Sequence, residues 1–592
     1  MRHRTILRTC LAVLLLAAVT APLGAQEAKV PVQEFTLDNG MHFLLVERHD
    51  SPTVSAGWVA HVGSANETYG VTGIAHLFEH MMFKGTTHIA TKDWAKEKKL
   101  IEQLDAVRAE MEKEYSKLRE AKRRGEITGS IYSPDNETQR LKELKAEMKK
   151  LQDAEHELIV KDEFDKIYTE NGGSGLNAFT NTDMTVYFIT VPANKLELWF
   201  WMESDRLGNH VFREFYSERD VVREERRMRV ESDPVAKFEE QFDSMFWTSV
   251  PYHHPVIGWP SDVESISRDE AEAFFHTYYA PNNLTAVIVG DVDPTKARKL
   301  AEQYFGRIPR APHDPPEVIT EEIEQLEEKR MRAEAETNPA VELRWHTVPF
   351  VHKDVYALEV MAGILSGRTG RLYKSLVEEN KIATGEPYAY GRPMKYGGYF
   401  EIGAEVADNA THGVVEQALL AEIERLKAEP VDAHELQKVK NQAMADSFRK
   451  LQSNFYLLLQ LLVYDAMGDW HFINEEPARM QAVTAEDVQR VAKTYFTPEG
   501  LNAMWYFRKE GATEEDPELA KLSGQAKAMA RQMLAQIEKE TDPKRLGQAL
   551  QQLQAGLASG QVPEEAKAAL ELVVRRIEER LESLESGGGK EK

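Results

Sequence analysis

The sequence predicts an α+β protein made of two homologous halves, on three observations: an internal repeat, alternating apolar strands that lead into Gly-bounded helices, and a length beyond one hydrophobic core. Thr277–Ala286 (TYYAPNNLTA) returns as Thr494–Ala503 (TYFTPEGLNA), and each copy follows a capped helix start, Ser267-Arg268-Asp269-Glu270 and Thr484-Ala485-Glu486-Asp487. The offset is 217 at both places, 494 minus 277 and 484 minus 267. Each copy reads as a helix followed by an apolar strand, Thr285 to Gly290 and Asn502 to Phe507. The 592 residues suffice for three or four structural units at roughly 100–200 residues each.

Residues 1–25 read as an export signal: Arg2, Arg4 and Arg8, an apolar run from Cys10 to Leu23, then Gly24-Ala25. The mature product is thus expected to be periplasmic or secreted. Cys10 is the single cysteine, so cleavage leaves neither disulfides nor thiolate ligands, and metal binding falls to histidine and carboxylate. Removing three arginines takes the formal charge from -24 to -27, which disfavours nucleic acid and anionic lipid as partners. The longest later apolar stretch, Tyr456 to Tyr464, is interrupted by Gln460 and falls short of the roughly 20 residues that span a bilayer. A Gly-rich phosphate loop ending in Lys-Ser or Lys-Thr is absent, which disfavours a nucleotide-driven machine.

The first unit, 28–310, opens with strands Phe35 to Glu47, carrying an Asp38-Asn39-Gly40 turn, and Val54 to Val62. A helix opened by Gly70 and Gly73 and closed near Lys84-Gly85 follows. Segment 92–164 is highly charged, with apolar residues at Leu100, Leu104, Val107, Met111 and Leu118, then at Leu141, Leu144, Met148, Leu151 and Leu158. This three-and-four spacing predicts an inserted antiparallel coiled-coil hairpin that projects from its domain. A polar linker is expected over 310–338, a second unit over 339–508, and a helical extension with a disordered tail over 511–592.

His76-Leu77-Phe78-Glu79-His80 is the stretch that carries chemistry. Residues four apart on a helix stand one above the other, so both imidazoles can reach one metal ion while Glu79 faces the same opening and Phe78 points away. A zinc ion with an open position acidifies water, and a neighbouring carboxylate can act as general base. The pentapeptide alone would arise by chance in roughly one of twenty shuffled chains, and a solvated or core-satisfied histidine pair is the competing reading. A third ligand is sought in ERDVVREERRMRVES from Glu218, although an exposed helix of Glu–Arg ion pairs fits that segment equally well. Glu224 lies about 100° around the helix from Glu225, so only one of them can face the metal. LNAFTNTDMTVYF, Leu176 to Phe188, reads as a strand, with an ordinary half-buried strand as its plainest reading.

The run GVTGIAHLFEHMMFKGT resembles the inverted-zincin active site of the pitrilysin and insulinase family of zinc peptidases. The resemblance extends over Phe35 to Phe507 apart from the hairpin, including Pro251 to Gly258, where His253 and His254 are expected to be structural. It implies a two-domain clamshell, one zinc per chain on His76, His80 and Glu225, Glu79 as base, and Glu218 as a carboxylate orienting a ligand. It also implies that Asn177, Ala178, Phe179 and Thr180 bind an extended peptide as an added strand. Glu225 stands 149 positions beyond His76 (225 minus 76), and removing the hairpin restores the family's shorter gap. Where the family places an arginine and a tyrosine that grip the substrate carbonyl, this chain has Val377 and Thr384. The implied activity is zinc-dependent endopeptidase action on peptides or unfolded segments. A homologous zinc-less subunit would complete a heterodimer; a homodimer, or Tyr388, Tyr390 or Arg392 of the same chain, is the alternative source. The rival from another class is a catalytically silent assembly subunit.

Overall fold

Two mixed sheets, each closed by one copy of the repeat, frame the computed structural model, which describes residues 29–509 and most of 518–587. The first holds β1 (Gln33–Thr36), β2 (His42–Glu47), β3 (Thr53–Ala60), β4 (Ser174–Thr180), β5 (Thr185–Pro192) and β6 (Leu284–Gly290), in the order β1-β2-β6-β3-β5-β4. The second holds β7 (Lys329–Ala335), β8 (Ala340–Thr347), β9 (Ala383–Pro393), β10 (Gly398–Val406) and β11 (Asn502–Arg508), in the order β7-β11-β8-β10-β9. Without β1 the two orders coincide, and so do the directions: β2 with β6 and β7 with β11 are parallel, the other neighbours antiparallel. Central β6 (LTAVIVG) is buried at every residue, as a β-branched run without alternation requires of a strand covered on both faces.

Between β3 and β4 lie α1 (Ile74–Met81) and the hairpin helices α2 (Trp94–Arg123) and α3 (Gln139–His156). After β5 come α4 (Phe215–Arg226), α5 (Ala236–Phe246) and α6 (Arg268–Tyr278). The second half follows suit with α7 (Val355–Leu365), α8 (Ala433–Gln452), α9 (Asn454–Met467) and α10 (Ala485–Tyr495). Helices α6 and α10 start 217 apart, and the starts of α4 and α8, and of α5 and α9, differ by 218.

The equivalent helices α5 and α9 are exchanged between the halves. Leu457, Leu458, Leu461 and Leu462 of α9 pack against Val46, Val59, Val186 and Val289 of the first sheet, while Phe242 of α5 packs against Ala333, Met504 and Tyr506 of the second. Each such buried side chain contributes about 1.5–3 kcal/mol, so the exchange ties the halves together. An apolar sequence around all of α9, NFYLLLQLLVYDAM, is what a helix buried between two units needs.

Two expectations are corrected. Strand β7 lies inside the expected 310–338 linker, so the second sheet begins before 339. Its sequence KRMRAEA hides it: Arg330, Arg332 and Glu334 alternate toward solvent, and only Ala333 and Ala335 are buried. The hairpin is present, but it does not simply project. Leu104, Val107, Met111, Leu118, Leu141, Leu144 and Met148 are continuous with the main core of the first half. At its root Asp105 accepts from Tyr216 and Arg268, and Arg108 donates to the Glu264 carbonyl. The expected signal at 1–25 and the last residues of the tail lie outside the described residues; the extension contributes α11 (Gly524–Lys539), α12 (Pro543–Ala558) and α13 (Glu564–Gly587), packed together through Ala530, Leu546, Leu572 and Ile577. Among the described residues no helix is long and apolar enough to cross a membrane.

Candidate metal centre

Helix α1 starts at Gly73, whose φ of 91° and close approach to the Ile257 carbonyl leave no room for a side chain. Glycine offers no capping oxygen, and the buried Glu67 supplies one from the preceding loop, accepting from the Gly73 and Ala75 amides at 2.8 Å each. Burial raises the Glu67 pKa well above the usual carboxylate range despite those two bonds. The loop Pro251 to Gly258 seats against this helix start: His254 lies 3.7 Å from Glu67 and His253 bonds to Tyr69 at 2.7 Å, so neither joins the histidines of α1. Phe78 faces the core, with its ring centroid 5.1–5.2 Å from those of Phe212, Phe274 and Tyr279.

On the opposite side His76 and His80 stand edge-on, 4.9 Å between centroids. Helix α4 brings Glu225 to both: its Oε2 is 3.3 Å from His80 Nε2 and 3.8 Å from His76 Nε2. Glu218, two turns earlier, accepts from His80 Nδ1 at 3.1 Å and pairs with Lys84. Arg229, on the π-helical turn Arg227–Glu231, holds the other oxygen of Glu225 at 2.9 Å. Glu224 points outward to Arg227.

The two rings have opposite acidities. Burial, reinforced by the charge of His80, pushes His76 down to about 4. Burial also works against a charged His80, but hydrogen bonds to Glu218 and Glu225 outweigh it and lift the group to about 9. Glu79 is raised by burial, against the neighbouring Thr180 hydroxyl and His80. Glu218 and Glu225 stay below the usual range because these cationic partners overcome their burial.

His76, His80 and Glu225 offer one donor atom each within 4.8 Å of one another, the only such trio of metal-binding groups among the described residues. Donors on a tetrahedral zinc sit about 3.3 Å apart at metal distances of about 2.0–2.1 Å, so this two-nitrogen, one-oxygen set fits a divalent ion and leaves a fourth position open. The outer groups are unequal: Glu218 orients His80, whereas the buried Nδ1 of His76 has no acceptor among the described residues.

Asn177, Ala178, Phe179 and Thr180 lie on β4, the edge of the first sheet, paired only with β5 and beside α1. The Thr180 hydroxyl is buried beside Glu79. The second sheet brings nothing to this centre: Val377 packs into its core, Thr384 reaches Glu405 at 3.4 Å, Tyr388 bonds to Glu401 and Arg392 to Tyr399. Tyr390 stacks on Tyr388 in that same sheet. Sequence reasoning missed Glu67, Lys84 and Arg229. Lys84 is already part of the conspicuous FKGT exit, and Arg229 stands four residues after Glu225, a spacing that favours an ion pair.

Comparison with known proteins finds peptidases of one family. Residues 42–116 match the model of insulinase (peptidase family M16), and residues 265–443 match the peptidase M16 inactive domain. The first match runs into α2, which the sequence reading had assigned wholly to the insertion. The zinc protease PqqE of Helicobacter pylori is 25% identical over 506 residues, covering 84% of this chain and 97% of that one. A crystal structure of a Helicobacter pylori protease superposes with a TM-score of 0.65 at 22% identity, over 81% of this chain and all of the other. The periplasmic protease PqqL of Escherichia coli gives 0.59 at 16% identity, over 84% of this chain and 49% of its own.

Proposed function

From the premise that this chain belongs to the pitrilysin/insulinase family of peptidases (M16) as a two-domain member, we propose that it is an exported zinc-dependent endopeptidase acting on peptides or unfolded segments. The observation that carries the reading is the convergence of His76 Nε2, His80 Nε2 and Glu225 Oε2 beside the edge strand β4. A bound zinc ion supplies Lewis acidity to water and to a peptide carbonyl.

The chain's own groups supply the rest. Glu218 fixes the His80 ring so that Nε2 faces Glu225, and Arg229 occupies Oε1 of Glu225, leaving Oε2 for a metal. Glu79, its pKa raised by burial, accepts the proton of the attacking water on its carboxylate and can return it to the leaving amine. The free edge of β4 from Asn177 to Thr180 can hold an extended peptide by backbone hydrogen bonds, so recognition is of main chain first. Val377 offers no donor for the developing oxyanion, while Thr384, Tyr388 and Arg392 are engaged within the second sheet. A homologous zinc-less subunit bringing an arginine and a tyrosine completes the site in a heterodimer.

The test is Glu79→Gln, assayed with and without that subunit. Zinc content should stay at one per chain while turnover falls by at least 100-fold. Unchanged turnover would sink the hydrolytic assignment, and full turnover by the unmodified chain alone would remove the need for a partner.

A further inference from the structure

We propose that the second sheet carries a binding site for a primary ammonium group, seated on the Glu342 carboxylate between the hydroxyls of Tyr388 and Tyr506. These three side chains line a cavity of about 1180 Å3 beside the start of α5, and Leu522 and Lys527 of the C-terminal extension form part of its wall. No residue of the metal centre lines it.

The register of the sheet brings the three together. Glu342 of β8 stands opposite Met504 of β11 on one side and Gly403 of β10 on the other, so all three share a face. Tyr388 of β9 is opposite Gly403 in turn, and its phenol fills the space of the missing side chain: a Cβ on Gly403 would meet the Tyr388 hydroxyl at 2.5 Å. Tyr506 lies two residues beyond Met504, on that same face. Glu342 therefore has a phenol on each side.

The architecture does not require a carboxylate there. Gly57 is its counterpart in the first sheet, since Val287 and Met504, the residues opposite Gly57 and Glu342, stand 217 apart (504 minus 287). Helix α9 closes that face, with Leu462 Cδ1 3.2 Å from where a side chain on Gly57 would begin. In the second half Phe242 of α5 covers Ala333, Met504 and Tyr506, and the face beyond them is charged.

The guest follows from what is left unmatched. Glu239 and Asp243 of α5, Glu401 of β10 and Arg344 of β8 surround Glu342, four carboxylates in all to one guanidinium. Arg344 is engaged by Asp243 at 2.5 Å and Glu401 at 2.7 Å, and Glu401 also accepts from Tyr388 at 3.0 Å. Glu342 has neither hydrogen-bond nor ion-pair partner among the described residues, and burial with its acidic neighbours raises its pKa well above the usual carboxylate range. The Tyr506 hydroxyl is buried and equally unpartnered, in a residue only 2% exposed. Each such group costs free energy until a guest satisfies it. An ammonium group brings one positive charge and three N–H donors, which match the Glu342 carboxylate, the Tyr506 hydroxyl and the remaining acceptor position on the Tyr388 oxygen. A metal ion fits less well, since among the described residues no trio of metal-binding groups converges here. Elsewhere in the lining Arg368, Arg508 and Lys527 balance Glu386, Glu405 and Asp408, so the excess of acid lies around Glu342.

The experiment titrates the zinc-loaded chain and its Glu342→Gln variant calorimetrically with four probes: 1,4-diaminobutane, a lysine-free tripeptide with a free N-terminus, the same tripeptide N-acetylated, and tetramethylammonium. The diamine, the free tripeptide or both should bind the variant about 30-fold or more weakly than the unmodified chain. Which of them does so identifies the source of the ammonium group. The acetylated tripeptide and tetramethylammonium, which lack the ammonium N–H donors, should not distinguish the two proteins. Binding to the unmodified chain should release a proton, up to one per amine, as the Glu342 acid ionises against its guest, and the variant should release none. A purely structural role for Glu342 would move neither the probe selectivity nor the proton count. Glutamine keeps the shape of the neutral acid; if the variant still fails to fold, Tyr506→Phe takes its place, with an expected loss of about 10-fold. Amines that bind both proteins alike, or tetramethylammonium discriminated as strongly as the amines, overturns the proposal.

Discussion

In the first half, α1 presents His76, Glu79 and His80 to Glu225 of α4; in the second, α7 occupies the same place in the strand order and carries Glu359, Ala362 and Gly363 at the same spacing. Those three residues line a cavity of about 680 Å3 together with Gln442 of α8, which stands 217 positions after Glu225 (442 minus 225). One backbone plan therefore sets a helix pair beside an edge strand in each half, and the side chains it carries there differ. The difference teaches that the plan supplies the opening, while the metal-binding donor set depends on side chains that only the first half carries at these positions. It also shows that the second hollow is not a metal site awaiting restoration. A Cβ on Gly363 would meet Val439 Cγ1 at 2.5 Å, so a histidine there requires at least Val439 to give way.

The sharpest way to break this comparison is to count metal. The intact chain should bind one zinc by native mass spectrometry, and His80→Ala, which leaves a single imidazole and one carboxylate, should bind none after desalting. Zinc retained by that variant would show that binding does not depend on the His80 ring.

A smaller effect separates the two halves at the next layer out. Glu218 orients His80, and its counterpart Glu435 (435 minus 218 is again 217) pairs instead with Arg371 at 2.7 Å. Glu218→Gln should weaken zinc binding by about 10–100-fold in a chelator competition. Glu435→Gln should leave it unchanged, and equal losses from both would mean that the two carboxylates act only through general stability.

Much of this was legible because the signals were local or periodic. The H-x-x-E-H order, the seven-residue step from Glu218 to Glu225 and the 217 offset each show in the sequence, since helical geometry and duplication both leave fixed spacings. Helix geometry alone leaves Glu224 and Glu225 open, the resemblance points to Glu225, and the packing of α4 against α1 turns that one inward. Glu67 was hidden for a different reason, because the carboxylate that caps α1 sits in a loop and acts on a helix whose N-cap is a glycine. Arg213 reads as one charge among many, yet it is fully buried and holds three carbonyls of the loop after α1. Strand β7 escaped because an edge strand with charged residues on its open face has the composition of a linker.

The smallest effect, and the one that tests the electrostatics alone, is the pH dependence of the metal-free protein. His80 has a folded pKa of about 9 against an ordinary 6.5, so the stability it contributes is fully present below pH 6.5 and is lost as pH rises toward 9. His76, depressed to about 4, works the other way: its contribution is present above pH 6.5 and is lost as pH falls from 6.5 to 4. Two rings one turn apart should therefore give the metal centre an alkaline limb and an acid limb of its own. Denaturant melts of metal-free protein at pH 6.5 and pH 9 should differ by on the order of 1–3 kcal/mol from His80, and His80→Ala should flatten that limb. The two carboxylates cause the rise, so Glu218→Gln should flatten it only in part, with Glu225 holding the remainder. An alkaline limb that survives His80→Ala would assign the pH response to groups outside the metal centre.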